Sequence, residues 1–307
     1  MLSRVADAVF WMARYVERTD NVLRVLRTNY IASQDEIQNF DWQLWVDGLG
    51  AKANDSNVKI TNYKEALFHL VLNKDNDTSV LINIVRAREN ARSVQDYITK
   101  EVWQCMNDYY HLIQDKNTEQ LMLESDPVTA IDNLLRESLL IYGTVEVTMS
   151  RGEGYTFLNL GKYIERSLRS LDILEINMQE QEKGGVEAMH WKYLLYSLSG
   201  YEFHSKHYKN ALQMNEVLHQ VFMNVQFPHS VLYSLQQTER YFKRLDSLSV
   251  PEHFKEMEFL IGKSISNFKY GVNPHAKADE VKALILKTRS ELKQMAYKLS
   301  TLYFGYS

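Results

Sequence analysis

Apolar residues recur every three or four positions along most of the chain, which is the period of amphipathic α-helices. In the first such segment Val5, Val9, Met12 and Val16 fall on one face of a helix at about 100° per residue. The pattern predicts long helices near residues 2–31, 78–112, 127–150, 155–182, 187–206, 229–246 and 277–304, and shorter ones near 34–48, 63–72, 214–224 and 252–270. We therefore predict an all-α fold, a multi-helix bundle of roughly ten or eleven helices with no sheet.

Glycine and proline are scarce, and this supports a helical fold. The 307 residues include 12 glycines and 4 prolines, which leaves few of the positions that tight β-hairpins need. All four prolines stand where a predicted helix begins, at Pro127, Pro228, Pro251 and Pro274. Asp126, directly before Pro127, is a good N-capping residue.

Charge and cysteine content exclude several classes of protein. With 35 basic and 39 acidic residues the net charge is −4, whereas a nucleic-acid-binding protein typically has a strongly positive charge. The single cysteine, Cys105, excludes an intramolecular disulfide and a cysteine-built metal cage. No stretch reaches the ~18 consecutive apolar residues of a membrane span, and the N-terminal residues do not resemble a signal peptide. We therefore expect a cytoplasmic protein that binds neither nucleic acid nor membrane.

Two segments of the chain resemble each other. Residues 13–23, "ARYVERTDNVL", and residues 161–171, "GKYIERSLRSL", share the order small, basic, Tyr, β-branched, Glu, Arg, hydroxyl. The pairs Glu17-Arg18 and Glu165-Arg166 therefore occupy equivalent positions. We interpret the two segments as a repeated helix, 2–31 and 155–182, and leave duplication of a whole half of the chain open.

The Glu-Arg pairs have two interpretations. On a helical wheel Glu17 and Glu165 lie outside the main apolar face. This position favours a solvated surface with contacts three residues apart, Arg14 with Glu17 and Lys162 with Glu165. In a large bundle, however, the polar faces of these helices could also be covered, and the carboxylates would then need cationic partners.

A third segment favours covered carboxylates. In residues 81–97 the apolar period places Arg88 and Arg92 in the middle of the apolar face. A buried guanidinium is rare unless a carboxylate neutralises it. We therefore predict a mixed Arg/Glu cluster in which Glu17 and Glu165 meet these two arginines. The alternative is that Arg88 and Arg92 extend along a face that is only half covered.

Four segments together resemble a known bacterial family, the Alpha-E family, an all-helical domain named for a Glu-Arg motif. They are "MLSRVADAVFWMARYVERTDN" (1–21), "RARENARSVQDYITKEVW" (86–103), "EGYTFLNLGKYIERS" (153–167) and "FPHSVLYSL" (227–235). The resemblance covers essentially the whole chain and implies one domain over residues 1–307. It also implies a partner, because the family resembles an accessory of ATP-grasp-type peptide ligases and transglutaminase-like proteins.

The resemblance also implies a set of special positions, which we take as candidates for ligand binding. Lys162 stands where relatives have Arg, and an ammonium cannot bind a carboxylate bidentately as a guanidinium does. The candidate ligand-binding positions are Arg14, Glu17, Arg18, Arg88, Glu89, Arg92, Arg151, Lys162, Glu165 and Arg166.

Motifs for catalysis, cofactors and metals are absent from the sequence. It contains no G-x-S-x-G, P-loop, G-x-G-x-x-G or H-E-x-x-H segment. His204 and His207 are three residues apart, but no further ligands are evident, so we expect no metal and no cofactor. Cys105 has no evident base and is interpreted as a small core residue.

Two functions of different class fit these observations. The first is a non-catalytic binding or accessory module that acts with a ligase or transglutaminase-like partner and binds a peptide-like or anionic ligand through the Arg/Glu cluster. The second is an enzyme of peptide or amide metabolism. In that enzyme Glu17 or Glu165 would act as general base, and Arg18, Arg88 or Arg166 would stabilise developing negative charge.

Overall fold

The structure, a computed structural model, describes residues 2–34, 41–50, 59–182, 187–208, 212–248, 251–271 and 278–305. This part of the chain contains fourteen α-helices and no strand, which confirms the predicted all-α class. The helices are α1 (Ser3–Gln34), α2 (Trp42–Gly48), α3 (Tyr63–Leu67), α4 (Val80–Ser93), α5 (Lys100–Gln114), α6 (Lys116–Gln120), α7 (Pro127–Thr148), α8 (Glu153–Gln181), α9 (Glu187–Ser197), α10 (Tyr201–His207), α11 (Met214–Met223), α12 (Val231–Phe242), α13 (Pro251–Gly271) and α14 (Ala278–Tyr303). Single π-helical turns follow α3 (Phe68–Leu72) and α6 (Leu121–Ser125), and a 3-10 turn (Lys243–Leu248) follows α12.

The predicted number of ten or eleven helices is wrong, because two predicted helices are each divided and α6 was not predicted. The segment 78–112 forms α4 and α5, and Thr99 starts α5 by accepting a hydrogen bond from the backbone N–H of Val102. The segment 187–206 forms α9 and α10. Ser199 between them has a positive φ of 52°, which ends the helical conformation. Hydrophobic period alone does not detect such short interruptions.

Polar caps and prolines set several helix starts as predicted. Asp126 caps α7 by accepting hydrogen bonds from the backbone N–H and the hydroxyl of Thr129, and Pro127 is the first helical residue. These hydrogen bonds hold the pKa of Asp126 below its ordinary value, and the one from the Thr129 hydroxyl has the largest effect. Pro251 begins α13, and Pro274 lies outside the described residues.

The chain divides into two compact units. Unit 1 comprises Met1–Arg14, Ser150–Leu171 and Gly200–Ser307, and unit 2 comprises Tyr15–Met149 and Asp172–Ser199. The two long helices α1 and α8, which carry the repeated segments, each contribute residues to both units. Whether the chain is a single domain stays a prediction.

In unit 1 the N-terminal part of α1 packs closely on α8. A Cβ atom built on Gly161 would lie 2.3 Å from the carbonyl oxygen of Phe10, so only glycine allows this approach of the two backbones. The ring of Phe10 lies 5.2 Å from that of Phe304, which also contacts Phe157 at 5.7 Å. The aromatic residue near the C-terminus is therefore buried in this core.

In unit 2 the helix α5 packs on both α4 and α7 through Val102, Met106, Tyr109 and Ile113, all of them buried. The helix α7 runs antiparallel to the C-terminal part of α1. Two contacts show the direction. Asp132 of α7 binds Arg27 of α1, and Tyr142, ten residues further along α7, binds Glu17, which lies ten residues before Arg27 in α1.

Candidate functional site

Glu165 of α8 lies at the centre of a buried ion-pair cluster in unit 1. Its side chain has no exposed surface, and one carboxylate oxygen accepts a hydrogen bond of 2.8 Å from Nε of Arg14. The other oxygen lies 3.2 Å from Nε of Arg169, one turn along the same helix. The Arg14 guanidinium also stacks over the ring of Trp11 at 4.4 Å. We call Arg14, Glu165 and Arg169 the Glu165 cluster.

Glu17, the equivalent carboxylate of α1, lies in unit 2 and is also fully buried. One oxygen accepts a short hydrogen bond of 2.6 Å from the hydroxyl of Tyr142, and the other lies 3.3 Å from the amide nitrogen of Asn21. Arg18, the next residue, is half-buried with its guanidinium 5.8 Å from the ring of Tyr15. The two repeated Glu-Arg pairs thus have different surroundings.

The prediction of a solvated face is wrong for both carboxylates. No residue of α1 between positions 5 and 33, and none of α8 between positions 155 and 180, is exposed. Both helices are enclosed on nearly every side, so the polar arc of the wheel is covered as well as the apolar one. Because a buried carboxylate needs donors or cations, the enclosure explains why Glu165 is held by two guanidinium groups.

The prediction that Arg88 and Arg92 point inward is also wrong. Arg92 is exposed, Arg88 is half-buried, and both bind the carboxylate of Glu89 on their own helix, at 2.5 and 3.1 Å. The Arg88 guanidinium lies over the rings of Tyr110 and Trp103, at 4.3 and 5.4 Å. These positions agree with the alternative interpretation, in which Arg88 and Arg92 extend along a helix face that is only half covered. The physical reason is that the buried face of α4 includes Val80 and Ala87 but not Val85, so that its centre lies roughly 70° from Arg88 and roughly 110° from Arg92 on the helical wheel.

Three further candidate positions lie against tyrosine rings in unit 1. The Arg151 guanidinium lies 4.2 Å from the centre of the Tyr155 ring. Lys162 and Arg166 both approach Tyr163, at 4.6 and 5.5 Å. Burial raises the pKa of Tyr163, so that its ring stays neutral and offers a π face to the cations.

The histidine and cysteine residues form no metal site in the described residues, where no group of three or more His, Cys, Asp or Glu side chains could hold an ion. His204 is buried with Nδ1 2.8 Å from the amide oxygen of Gln220. His207 stacks on the ring of Phe203 at 4.0 Å. Cys105 is half-buried. None of the described helices is long and apolar enough to cross a membrane.

A cavity of about 670 Å³ lies in unit 2 and was not predicted from the sequence. Three helices form its walls, and each contributes the residues of one face. The lining residues are Arg24, Arg27, Thr28 and Ile31 of α1, Asp132, Leu135, Arg136 and Leu139 of α7, and Lys192, Tyr193, Tyr196 and Ser199 of α9 and the residues after it. We call this the unit 2 cavity.

The unit 2 cavity combines cations with apolar walls and opens to solvent. Arg136, Leu139, Tyr196 and Ser199 are exposed, with 57% of Leu139 and 42% of Tyr196 accessible. Four lining side chains are cationic and one, Asp132, is anionic. A concave, partly apolar site with a few charged groups is the usual form of a ligand pocket.

Two of the cavity's arginines are already held by carboxylates. Arg24 donates to both oxygens of Asp20, at 2.7 and 3.2 Å, and to the hydroxyl of Ser199 at 2.6 Å. Arg27 donates to both oxygens of Asp132, at 2.5 and 3.1 Å. Ser199 is the one non-glycine residue with positive φ in the described part of the chain. Strained residues of this kind are concentrated at functional sites.

The sequence does hold a signal for this cavity. In α1 the cations Arg24 and Arg27 lie three residues apart, and in α7 the ion-pair partner Asp132 is followed four residues later by Arg136. Charged residues three or four apart usually belong to a solvated surface. Only the packing of three helices shows that these particular faces meet around a void.

A family described as "A predicted alpha-helical domain with a conserved ER motif", Alpha-E, matches residues 1–304. Uncharacterised proteins of Mycobacterium bovis and of one Mycobacterium tuberculosis strain are 23% identical over 270 residues, and a protein of a second Mycobacterium tuberculosis strain is 22% identical. The similarity covers 80% of this chain and 30% of each relative, so the chain spans about a third of the relatives' length. No solved structure matches the chain. Glu-Arg pairs occur at 17–18, 165–166 and 239–240, and the family match extends from α1 to α14; the chain belongs to the Alpha-E family.

Proposed function

We propose that this chain is a non-catalytic helical binding module that holds an anionic, peptide-like ligand in the unit 2 cavity. The observation that carries the proposal is that cationic side chains and apolar and aromatic walls line one solvent-open cavity. A peptide fits both surfaces, because its carboxylates accept hydrogen bonds from Arg and Lys while its side chains pack against Leu and Tyr.

The charge of the cavity favours an anion. Arg27 and Asp132 neutralise each other within the wall, and Arg24 is neutralised by a neighbouring carboxylate of α1. Arg136 and Lys192 add two positive charges that the wall does not balance. A low-dielectric concave wall concentrates such a positive field and attracts ligands of opposite charge.

In this proposal the Glu-Arg positions hold the helices together. The Glu165 cluster lies in unit 1, where Glu165 has no exposed surface. Glu17 is likewise fully buried and accepts a hydrogen bond from Tyr142. A general base must reach the proton that it removes, and a solvent-inaccessible carboxylate whose oxygens already accept hydrogen bonds or bind guanidinium groups is poorly suited to that role. The contacts therefore favour a binding module over an enzyme that uses Glu17 or Glu165 as base.

We further propose that the module acts beside an ATP-grasp-type peptide ligase or a transglutaminase-like protein. The support is the family resemblance, together with the length of the relatives, each of which carries further sequence beyond the similar region. Sedimentation velocity of the purified protein mixed with such a ligase measures the association directly. A complex is expected, and two independently sedimenting species at micromolar concentration would exclude this partner.

The ligand proposal is tested with one tripeptide and two neighbouring variants. Isothermal titration calorimetry measures binding of N-acetyl-Glu-Phe-Ala to the wild type, Leu139→Glu and Leu140→Glu. Leu139 lines the cavity, whereas Leu140 does not, and both side chains are at least half exposed, so neither change is expected to disturb folding. A carboxylate at Leu139 repels the anion.

We expect Leu139→Glu to weaken binding at least ~10-fold, while Leu140→Glu leaves it within ~2-fold of wild type. Equal effects of the two substitutions, or no binding of the tripeptide to the wild type, would show that the cavity is not the ligand site.

A further inference from the structure

Two cations of the unit 2 cavity differ from the other two. No carboxylate lies within ion-pair distance of Arg136 or Lys192 among the described residues. The contact of Arg136 is the amide oxygen of Asn133, at 3.5 Å, and Lys192 lies 5.9 Å from the ring centre of Tyr196. Arg24 and Arg27, by contrast, are each held bidentately by an aspartate. The positive charge available to a ligand is therefore that of Arg136 and Lys192.

These two cations belong to different helices of the cavity wall, Arg136 to α7 and Lys192 to α9. The helix α7 runs antiparallel to α1, so Arg136, one turn beyond Asp132, lies towards Arg24 and the Ser199 hydroxyl that Arg24 binds. Lys192 precedes Ser199 by seven residues, almost two turns along α9 and the residues after it. A ligand in the cavity can therefore meet one cation from α7 and one from α9.

Apolar and aromatic side chains from all three helices also line the cavity. Leu135 of α7 and Tyr193 of α9 line the cavity and are both buried, and Ile31 of α1 is half-buried. An apolar side chain can pack there, while backbone carbonyls of the same ligand face the polar rim.

We infer that the cavity selects a short peptide that carries two carboxylates and an apolar residue. This inference rests on the proposed function and deepens it. Arg136 binds one carboxylate and Lys192 the other, while the apolar residue packs against the apolar part of the wall. Arg27 and Arg24 keep their aspartate partners and shape the wall without contributing net charge.

The test compares four tripeptides that differ only in charge. N-acetyl-Glu-Phe-Ala has two carboxylates. Its Gln analogue and its C-terminal amide have one each, and the Gln amide has none. Calorimetric titration of the wild type measures whether both carboxylates contribute. We expect the peptide with two carboxylates to bind at least ~10-fold more tightly than either peptide with one, and the neutral peptide to bind most weakly.

Substitutions then assign each carboxylate to its cation. Arg136→Gln is expected to abolish the preference for one of the two carboxylates, and Lys192→Gln the preference for the other. Lys293→Gln, an exposed position on α14 of unit 1, makes the same change in net charge and serves as the control, with all preferences retained. Circular dichroism of each variant verifies that the helices are intact.

The failure of this inference can be distinguished from failure of the proposed function. If removal of one carboxylate leaves affinity unchanged in the wild type while Leu139→Glu still weakens binding more than Leu140→Glu, the two-carboxylate inference is wrong and the proposed site stands. If Leu139→Glu and Leu140→Glu behave alike, the site itself is wrong. Loss of both preferences in the Lys293→Gln control would also overturn the inference, because general electrostatic attraction would then explain the affinity.

Discussion

Replacing Glu165 by Gln tests whether the buried Glu165 cluster stabilises the fold. The substitution keeps the size of the side chain and removes its charge, so that Arg14 and Arg169 lose the carboxylate that lies 2.8 and 3.2 Å away. Removing one partner of a buried ion pair costs about 3–5 kcal/mol, because an uncompensated charge stays in the interior. At about 2 °C per kcal/mol for a large domain, Tm should fall by about 6–10 °C.

Differential scanning calorimetry at pH 7 is the appropriate assay for Glu165→Gln, because it resolves separate transitions if the two units unfold independently. Glu258→Gln is the matched control, since it removes the same charge from an exposed position of α13 in the same unit. Surface substitutions of this kind usually change the free energy of unfolding by less than about 0.5 kcal/mol. The control should therefore stay within about 1 °C of wild type.

A Tm of Glu165→Gln within 1 °C of the control would refute the reasoning, and so would a raised Tm, which would show that desolvation of the cluster outweighs its attraction. A double-mutant cycle sharpens the test. If Arg14 and Glu165 stabilise each other, the free energy of unfolding lost in the double variant should be smaller than the sum of the losses in Arg14→Gln and Glu165→Gln.

Three further substitutions test the packing and the caps. Gly161→Ala should destabilise the protein by about 1–3 kcal/mol in urea denaturation, because the new Cβ overlaps a backbone carbonyl of α1, whereas Gly262→Ala, with nothing within 4 Å, should be neutral or stabilising. Equal effects of the two would disprove the close approach. Tyr142→Phe should cost about 1.5–3 kcal/mol in the same assay, since Glu17 loses a hydrogen bond to a charged oxygen; a change below about 0.5 kcal/mol would contradict this. Asp126→Ala should lower Tm at pH 7. The pKa of Asp126 is lower in the folded protein than its unfolded value of 3.8. The charged side chain therefore stabilises the fold fully above pH 3.8, and this stabilisation is lost as the pH falls through the folded pKa. The Tm values of wild type and Asp126→Ala, plotted against pH, should converge below about pH 4.

The fold class could be predicted from the sequence because it depends on local periodicity. The cap at Asp126 and the period of the long amphipathic segments both depend on residues only a few positions apart in the sequence. The breaks at 94–99 and at Ser199 were missed, since each is a short deviation inside an otherwise periodic segment. Arg88 was misplaced for a similar reason. Its wheel counted Val85, which is only half-buried, and omitted Ala87, which is fully buried.

Sequence by itself determined that the chain is helical, roughly where its longer helices lie, and that it resembles one family. It also identified Glu17 and Glu165 as unusual, because carboxylates at equivalent positions of two long helices are visible without coordinates. Only the tertiary structure decided that both are buried and that Glu165 binds an arginine 151 residues away. It alone decided that faces of α1, α7 and α9 enclose the unit 2 cavity. Helical period specifies which residues share a face, but which faces meet depends on side-chain packing between segments distant in the chain.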